Sequence, residues 1–296
     1  MKIETLSVIA GSTACNARCP FCVSKMTPEC GVELKRSRFN LRNFEKVCRL
    51  AELSGVTTMM ITGKGEPTLD PDQITEYLEA AQRFEFPLIE MQTNGISIAE
   101  RPEHYAPYLK RWYELGLNTI ALSIVHFDPE ENRRIYLPYK KEYIDLSKLI
   151  ETLHGFGFSV RLTCIMTRDR IGSINKVKQL INFARVNKVE QLTLTPVNKP
   201  ADFSDDNDAE RQAWLWTEKN HIDPEDFDGI KHYIERVGAH LLTLPHGAKV
   251  FDIGGQNVCL NNCLSVNPDP EKMRNLIFFP DGHVRYYWQH PGAILM

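Results

Sequence analysis

Cys15-Asn16-Ala17-Arg18-Cys19-Pro20-Phe21-Cys22 is the stretch on which the reading of this chain turns. Its C-x3-C-x2-C spacing places three thiols on one short loop. Soft thiolates suit iron–sulfur clusters and zinc. Three ligands without an obvious local fourth suit a cubane with one iron left open. A structural zinc site wants four protein ligands, and Cys30 would complete one. On spacing alone both readings stand.

The loop follows an apolar-rich run, Ile3–Ala10, and the same rhythm continues downstream. Strands are expected at Ile3–Ala10, Thr57–Thr62, Leu88–Thr93, Thr119–Val125, Ser159–Met166 and Gln191–Pro196. Amphipathic helices are expected between them, at Leu41–Ser54, Asp70–Phe84, Pro102–Leu115, Tyr143–His154 and Ile174–Val186. Gly55, Gly116 and Gly155 follow three of these helices, and glycine ends a helix because it accepts the left-handed conformation. Alternating strands and helices imply parallel strands joined by crossovers.

Fully covered parallel strands read as continuous apolar runs, yet several of these alternate. Glu90, Gln92 and Asn94, then Thr119, Ala121 and Ser123, then Arg161 and Thr163, then Gln191, Thr193 and Thr195 take every second position. They are expected on a common interior, as in an open barrel that holds a polar ligand. The competing architecture, an antiparallel sheet with a wet face, fits the intervening helices poorly.

After Pro196 the character changes. Asn198–Asp208 is polar and acidic, with helices expected near Ala209–Lys219 and Pro224–Val237 and strands near His240–Leu244 and Leu276–Trp288. Asp281-Gly282 between apolar runs signals a hairpin. The expected division is a core over 1–197 and an α+β extension over 198–296 that covers one end of the barrel and shapes the substrate site.

Composition bounds the partners. The 296 residues are 43% hydrophobic, enough for a core. A formal charge of −3 disfavours bulk nucleic-acid binding. No apolar run approaches the roughly 20 residues of a membrane span, and the N-terminus lacks a signal pattern; a cytoplasmic protein is expected. In that setting eight cysteines point to metal ligands or buried thiols rather than disulfides. Cys48 and Cys164 read as core thiols.

The cysteine spacing, Phe21 before the third cysteine, and the position of the loop after the first strand resemble the radical S-adenosylmethionine (SAM) superfamily over roughly residues 5–196. The resemblance implies a partial (βα)6 barrel, with Cys15, Cys19 and Cys22 holding a [4Fe–4S] cluster and SAM on the open iron. It further implies reductive SAM cleavage to a 5′-deoxyadenosyl radical that abstracts hydrogen, fed by an electron donor such as flavodoxin or ferredoxin.

Gly63-Lys64-Gly65-Glu66-Pro67 is similar to the family segment that engages the methionine ammonium, with Lys64 a departure from its commonest form. By itself it would read as a Gly-Pro loop with a surface Glu. Phe21, Asn94, Ser123, Arg161 and Thr195 are the further SAM candidates that the resemblance implies, although Asn94-Gly95 is also an ordinary turn. His126, just beyond the fourth strand, is the candidate for reaching the substrate; a lone loop histidine is ordinarily a surface residue.

Cys259 and Cys263 with the later hairpin resemble, faintly, the twitch and SPASM extensions that bind auxiliary clusters. One cluster is expected, with a second, auxiliary one left open. The expected substrate is a small-molecule or nucleotide-type metabolite. A peptide- or RNA-modifying enzyme is the nearest alternative, and a strand beginning almost at residue 1 leaves little room for a leader-peptide domain. From another class, a metal-stabilised binding protein would keep the thiolates without needing a polar interior.

Overall fold

Strand periodicity builds this fold from the inside. The computed structural model describes residues 3–35, 39–200, 207–261 and 273–296. In chain order its core elements are β1 (Thr5–Ile9), α1 (Leu41–Leu53), β2 (Thr58–Thr62), α2 (Pro71–Ala81), β3 (Leu88–Thr93), α3 (Ile96–Glu100), α4 (Pro102–Glu114), β4 (Thr119–Ile124), α5 (Pro129–Tyr136), α6 (Leu146–Gly155), β5 (Ser159–Met166), α7 (Ile174–Val186) and β6 (Gln191–Pro196). Strands β1 to β6 pair in parallel and in chain order. This is the expected (βα)6 arrangement.

One face of the sheet is apolar. Met59, Ile61, Met91, Ile120, Leu122, Val160, Leu162, Leu192 and Leu194 merge with the helices into one buried core. Cys164 and Cys48 are fully buried in it, as expected of core thiols. The opposite, inner face carries the alternating polar set. Register places Gln92, Ala121, Arg161 and Gln191 in one row, and Ser123, Thr163 and Thr193 in the next. Side-chain contacts across that face, Thr62 to Gln92 and Arg161 to Glu90, confirm that these residues share it.

The later part continues with α8 (Asp208–Asn220), α9 (Pro224–Val237), β7 (Ala239–Thr243), β8 (Lys249–Ile253), β9 (Gln256–Leu260), β10 (Asn275–Phe278) and β11 (Val284–Arg285). Its strands lengthen the sheet at both edges, in the order β11-β10-β1 through β6-β9-β8-β7. The extension was expected over one end of the barrel; its strands join the sheet itself. Strand β10 runs parallel to β1 and sets Phe278 against Phe44 at 5.3 Å and Tyr77 at 6.2 Å between ring centres. Burial of that aromatic cluster rewards the long return of the chain.

Three differences from the sequence reading have local causes. Helix α6 runs through Gly155, and the left-handed stop is Gly157, at φ +94°. The hairpin expected at Asp281-Gly282 is present: β10 and β11 pair antiparallel and turn at Gly282, φ +89°. The hairpin β8–β9 was not anticipated, although Gly254-Gly255, at φ +60° and +86°, is a turn signature between apolar runs. Helix α5 was also missed. Its start was written in Asp128, which caps Glu130 N at 2.8 Å, Pro129 at the first position, and acids in the first turn.

Candidate functional site

The cysteine loop leaves the end of β1 and is clamped from four sides. Gly11 N donates to Gln73 Oε1 at 2.6 Å, and Glu66 N donates to Ala14 O at 2.9 Å. Gly65 lies so close that a Cβ there would stand 2.0 Å from Ala14 O; at Gly63 it would stand 2.9 Å from Ala10 O. Asn16 Oδ1 accepts from Asn94 Nδ2 at 2.7 Å, and its amide donates to Ser97 Oγ at 3.0 Å. Arg18 N donates to Tyr136 O at 2.9 Å, and Tyr139 Oη donates to Asn16 O at 2.6 Å. Lys64 Nζ holds the far arm of the loop, donating to Thr27 Oγ1 at 2.5 Å and Thr27 O at 3.3 Å.

Glu66 is the clasp of the site. Its Oε1 accepts from Thr68 N (3.0 Å), Thr68 Oγ1 (2.6 Å) and Thr93 Oγ1 (2.6 Å), and its Oε2 accepts from Asn94 N (2.9 Å). A carboxylate offers roughly four acceptor positions. Oε1 takes three of these donors and Oε2 one, so Glu66 fixes the surrounding backbone while Oε2 keeps an acceptor position. Glu66 is buried, only 4% exposed, not on a surface loop.

Thiol chemistry in the loop follows from desolvation. Cys15 is exposed as a residue, but desolvation of its thiol raises its pKa to about 11, with the charges of Glu66 and Cys22 adding to it. Burial, then the charges of Cys22 and Cys15, raise the Cys19 pKa well above the ordinary thiol value. Loading with metal must therefore displace protons. Among the described residues, no three His, Cys, Asp or Glu side chains form a group fit to hold one ion. Cys30 packs against the apolar cluster of Ile9, Val32, Ile277 and Phe279. A cubane binds each thiolate through a different iron, so the ligands need not converge on one point. Cys15, Cys19 and Cys22, beside the Asn94 amide that approaches Cys15 Sγ at 3.9 Å, fit such a group.

The inner face supplies polar atoms that lack partners. Thr163 Oγ1, Ser7 Oγ and Arg161 Nε are buried and make no hydrogen bond. Thr193 and Thr195 are buried on the same side, and Ser123 is half-buried. Arg161 was expected to need an external partner; it pairs with Glu90. Burial pushes the Glu90 carboxyl up, while Arg161 pulls it down. Cys259 lies opposite Thr193 in the row of Ser123 and Thr163; Cys263 lies outside the described residues.

Phe21 and His126 stand apart from this assembly. Phe21 packs under the loop, 5.5 Å from the Trp216 ring and 6.5 Å from that of Tyr136. His126 is buried, not on the surface, and its Nδ1 accepts from Asp128 N at 2.9 Å. Burial, then the charge of Lys176, lower its pKa. It lines a groove against α7 with Phe127, Lys176 and Phe183. Sequence reasoning missed the clamp residues Asn16, Lys64, Thr68, Thr93 and Tyr136. Their only local signal was the apolar-free turn chemistry around Asn94-Gly95.

Expected outcome: Glu66→Gln puts an amide N–H₂ against donors and weakens bonds to a charged acceptor, each worth about 1.5–3 kcal/mol. A loss of about 2 kcal/mol corresponds to a melting temperature lower by about 3 °C in a chain of this size. An unchanged melt would remove Glu66 from the clasp.

Comparison with known proteins agrees with this geometry. The family model of the Radical SAM superfamily matches residues 9–188. GTP 3',8-cyclase of Aquifex aeolicus (strain VF5) is 28% identical over 160 residues, covering 52% of this chain and 45% of that protein. Probable GTP 3',8-cyclase of Methanothermobacter thermautotrophicus is 30% identical over 134 residues, covering 45% of this chain and 38% of that protein. The match thus spans less than half the length of either relative. Among solved structures, Streptococcus suis SuiB bound to S-adenosylmethionine superposes with a TM-score of 0.58 at 16% identity, covering 97% of this chain and 58% of that one. The matched span holds all three loop cysteines, the Glu66 clasp and strands β2 to β5, and the chain belongs to the Radical SAM superfamily.

Proposed function

We propose that this chain is a radical SAM enzyme that abstracts hydrogen from a small, nucleotide-type substrate held against the inner face of the sheet. The observation that carries the reading is the pairing of two features at one place. A clamped three-thiol loop stands at the strand ends, and an inner face below it holds buried, unbonded polar atoms at Thr163, Ser7 and Arg161. A metal-stabilised binding protein would need the first and not the second. The nucleotide class is supported by the likeness to proteins named GTP 3',8-cyclase.

Cys15, Cys19 and Cys22 would hold the [4Fe–4S] cluster, and the cluster with SAM supplies one-electron bond cleavage that side chains cannot perform. The chain's own contribution is placement. Asn94 and Glu66 fix the loop, and Gly63 and Gly65 let backbone approach closely. Ser123, Thr195 and Arg161 would orient SAM or substrate from the inner face, and Glu90 keeps the Arg161 guanidinium from facing that space unpaired. Cys15 and Lys25 are exposed, which suits entry of an electron from a flavodoxin or ferredoxin. Among the described residues no helix is long and apolar enough to cross a membrane.

Anoxic incubation with SAM and dithionite should release 5′-deoxyadenosine, faster when a nucleoside triphosphate is present. With a substrate deuterated on its ribose, deuterium should enter the 5′-deoxyadenosine. No release from cluster-loaded protein would overturn the enzyme reading. Release that no nucleotide accelerates or labels would overturn the substrate class.

A further inference from the structure

Outside the barrel, the turn after β4 and helix α7 bound a groove of about 670 Å³ that the proposed reaction does not use. That volume falls within the roughly 300–1,000 Å³ of small-molecule sites. The buried side of α7, with Val177, Leu180, Ile181 and Ala184, separates the groove from the barrel. Its floor is aromatic: His126 stacks on Phe127 at 4.3 Å between ring centres, and Phe127 on Phe183 at 5.9 Å. Its rim is basic. Lys176 and Lys178 line it, with Lys176 Nζ 6.0 Å from the Phe127 ring centre and Lys178 Nζ 5.0 Å from that of Tyr233. Both lysines lie in the first five residues of α7, and Ile174–Val186 includes no acid. A helix N-terminus is itself partly positive and favours anions, so two cations there call for something negative. Among the described residues neither lysine forms an ion pair. Asp128, the one carboxylate lining the groove, accepts from Glu130 N at 2.8 Å and caps its own helix.

His126 adds a donor to the same groove. It is 3% exposed, and its Nδ1 accepts from Asp128 N at 2.9 Å, which leaves the ring proton on Nε2. Burial, then the charge of Lys176, lower its pKa, so the ring stays neutral and keeps this tautomer. Among the described residues Nε2–H has no partner, and the ring that carries it lines the groove. We propose that this groove binds a nucleoside phosphate, with phosphate between Lys176, Lys178 and His126 Nε2–H and the base against Phe127 and Phe183. An inorganic anion would match the lysines and leave the aromatic floor bare. An uncharged apolar ligand would cover the floor and leave the lysines unmatched. A flat ring that carries phosphate matches both, because bases stack on aromatic side chains and phosphates pair with cations. Gln179, exposed on the same helix and lining the groove, offers its amide to the edge of the base.

Isothermal titration of the full chain, without cluster or SAM, tests the groove independently of the proposed reaction. ADP should bind, and adenosine and pyrophosphate should each bind more weakly. Lys176→Gln/Lys178→Gln should weaken ADP binding about tenfold to a hundredfold, as the loss of charge-assisted contacts requires. Neither lysine is buried, so the melting temperature should hold. Phe183→Leu should weaken ADP and adenosine and leave pyrophosphate unchanged, an outcome that general destabilisation would not give. Arg161→Gln, on the inner face of the sheet, should leave ADP binding intact. No binding of ADP by the wild type would overturn the proposal, as would unchanged affinity in the double lysine variant. Pyrophosphate or adenosine binding as tightly as ADP would overturn it too, by removing the need for one of the two halves. Loss of ADP binding in the Arg161 variant instead of the lysine variant would move the nucleotide into the barrel and sink the groove.

Discussion

Replacing Cys15, Cys19 or Cys22 with Ala, one at a time, is expected to abolish the SAM-responsive cluster signal in anoxically reconstituted protein. The three thiols are the only cysteines of the described residues on this loop other than Cys30, and Cys30 is packed into an apolar cluster at the β1–β10 edge. Among the described residues of this loop, no spare thiol can therefore swing in. Cys48 and Cys164 are fully buried on the helix side and cannot substitute. Two thiolates leave two irons of the cubane without protein ligands, where the family's site leaves one. Iron content and the EPR signal after reduction, with and without SAM, measure the outcome. Full retention of the signal in any single variant would overturn that ligand assignment.

Gly65→Ala should be nearly as damaging, through sterics alone. An added Cβ would stand 2.0 Å from Ala14 O and 2.6 Å from Ser12 O, both backbone atoms of the cysteine loop. Neither can rotate away, so the loop must lift and the bond from Glu66 N to Ala14 O, 2.9 Å long, must break. Overpacking typically costs about 1–3 kcal/mol where side chains can adjust. Here the obstacle is main chain, which puts the cost at the upper end of that range or beyond. Loss of cluster loading should accompany a lower melting temperature. Gly155→Ala is the control: it has open space and sits inside α6. It should be neutral or stabilising by up to about 1 kcal/mol. Equal effects at the two glycines would sink the close-approach argument.

Much of the site was legible where the signal is local. Three cysteines at fixed spacing, the Gly65-Glu66 segment after β2 and Asn94-Gly95 after β3 each sit within a few residues of a recognisable element. The roles within it were less legible. Glu66 read as a partner for a ligand; within the chain its carboxylate also binds Thr68, Thr93 and Asn94. Arg161 read as an unpaired interior charge, yet Glu90 faces it across β4, 71 residues away in sequence. His126 read as a loop residue near the substrate, yet it is buried in its own turn, beside a groove on α7.

The sequence by itself determined the (βα)6 order, the two faces of the strands and the identity of the three loop thiols. Those properties follow from periods of two and 3.6 and from turn residues, which act between near neighbours. Only the tertiary structure decided that β9 joins β6, that β10 joins β1, and that the Tyr136 carbonyl receives Arg18 N from the cysteine loop. Such pairings are chosen by burial and hydrogen bonding between segments far apart in the chain. Their free energy appears only when both partners are in place, so neither segment carries it in its own residues.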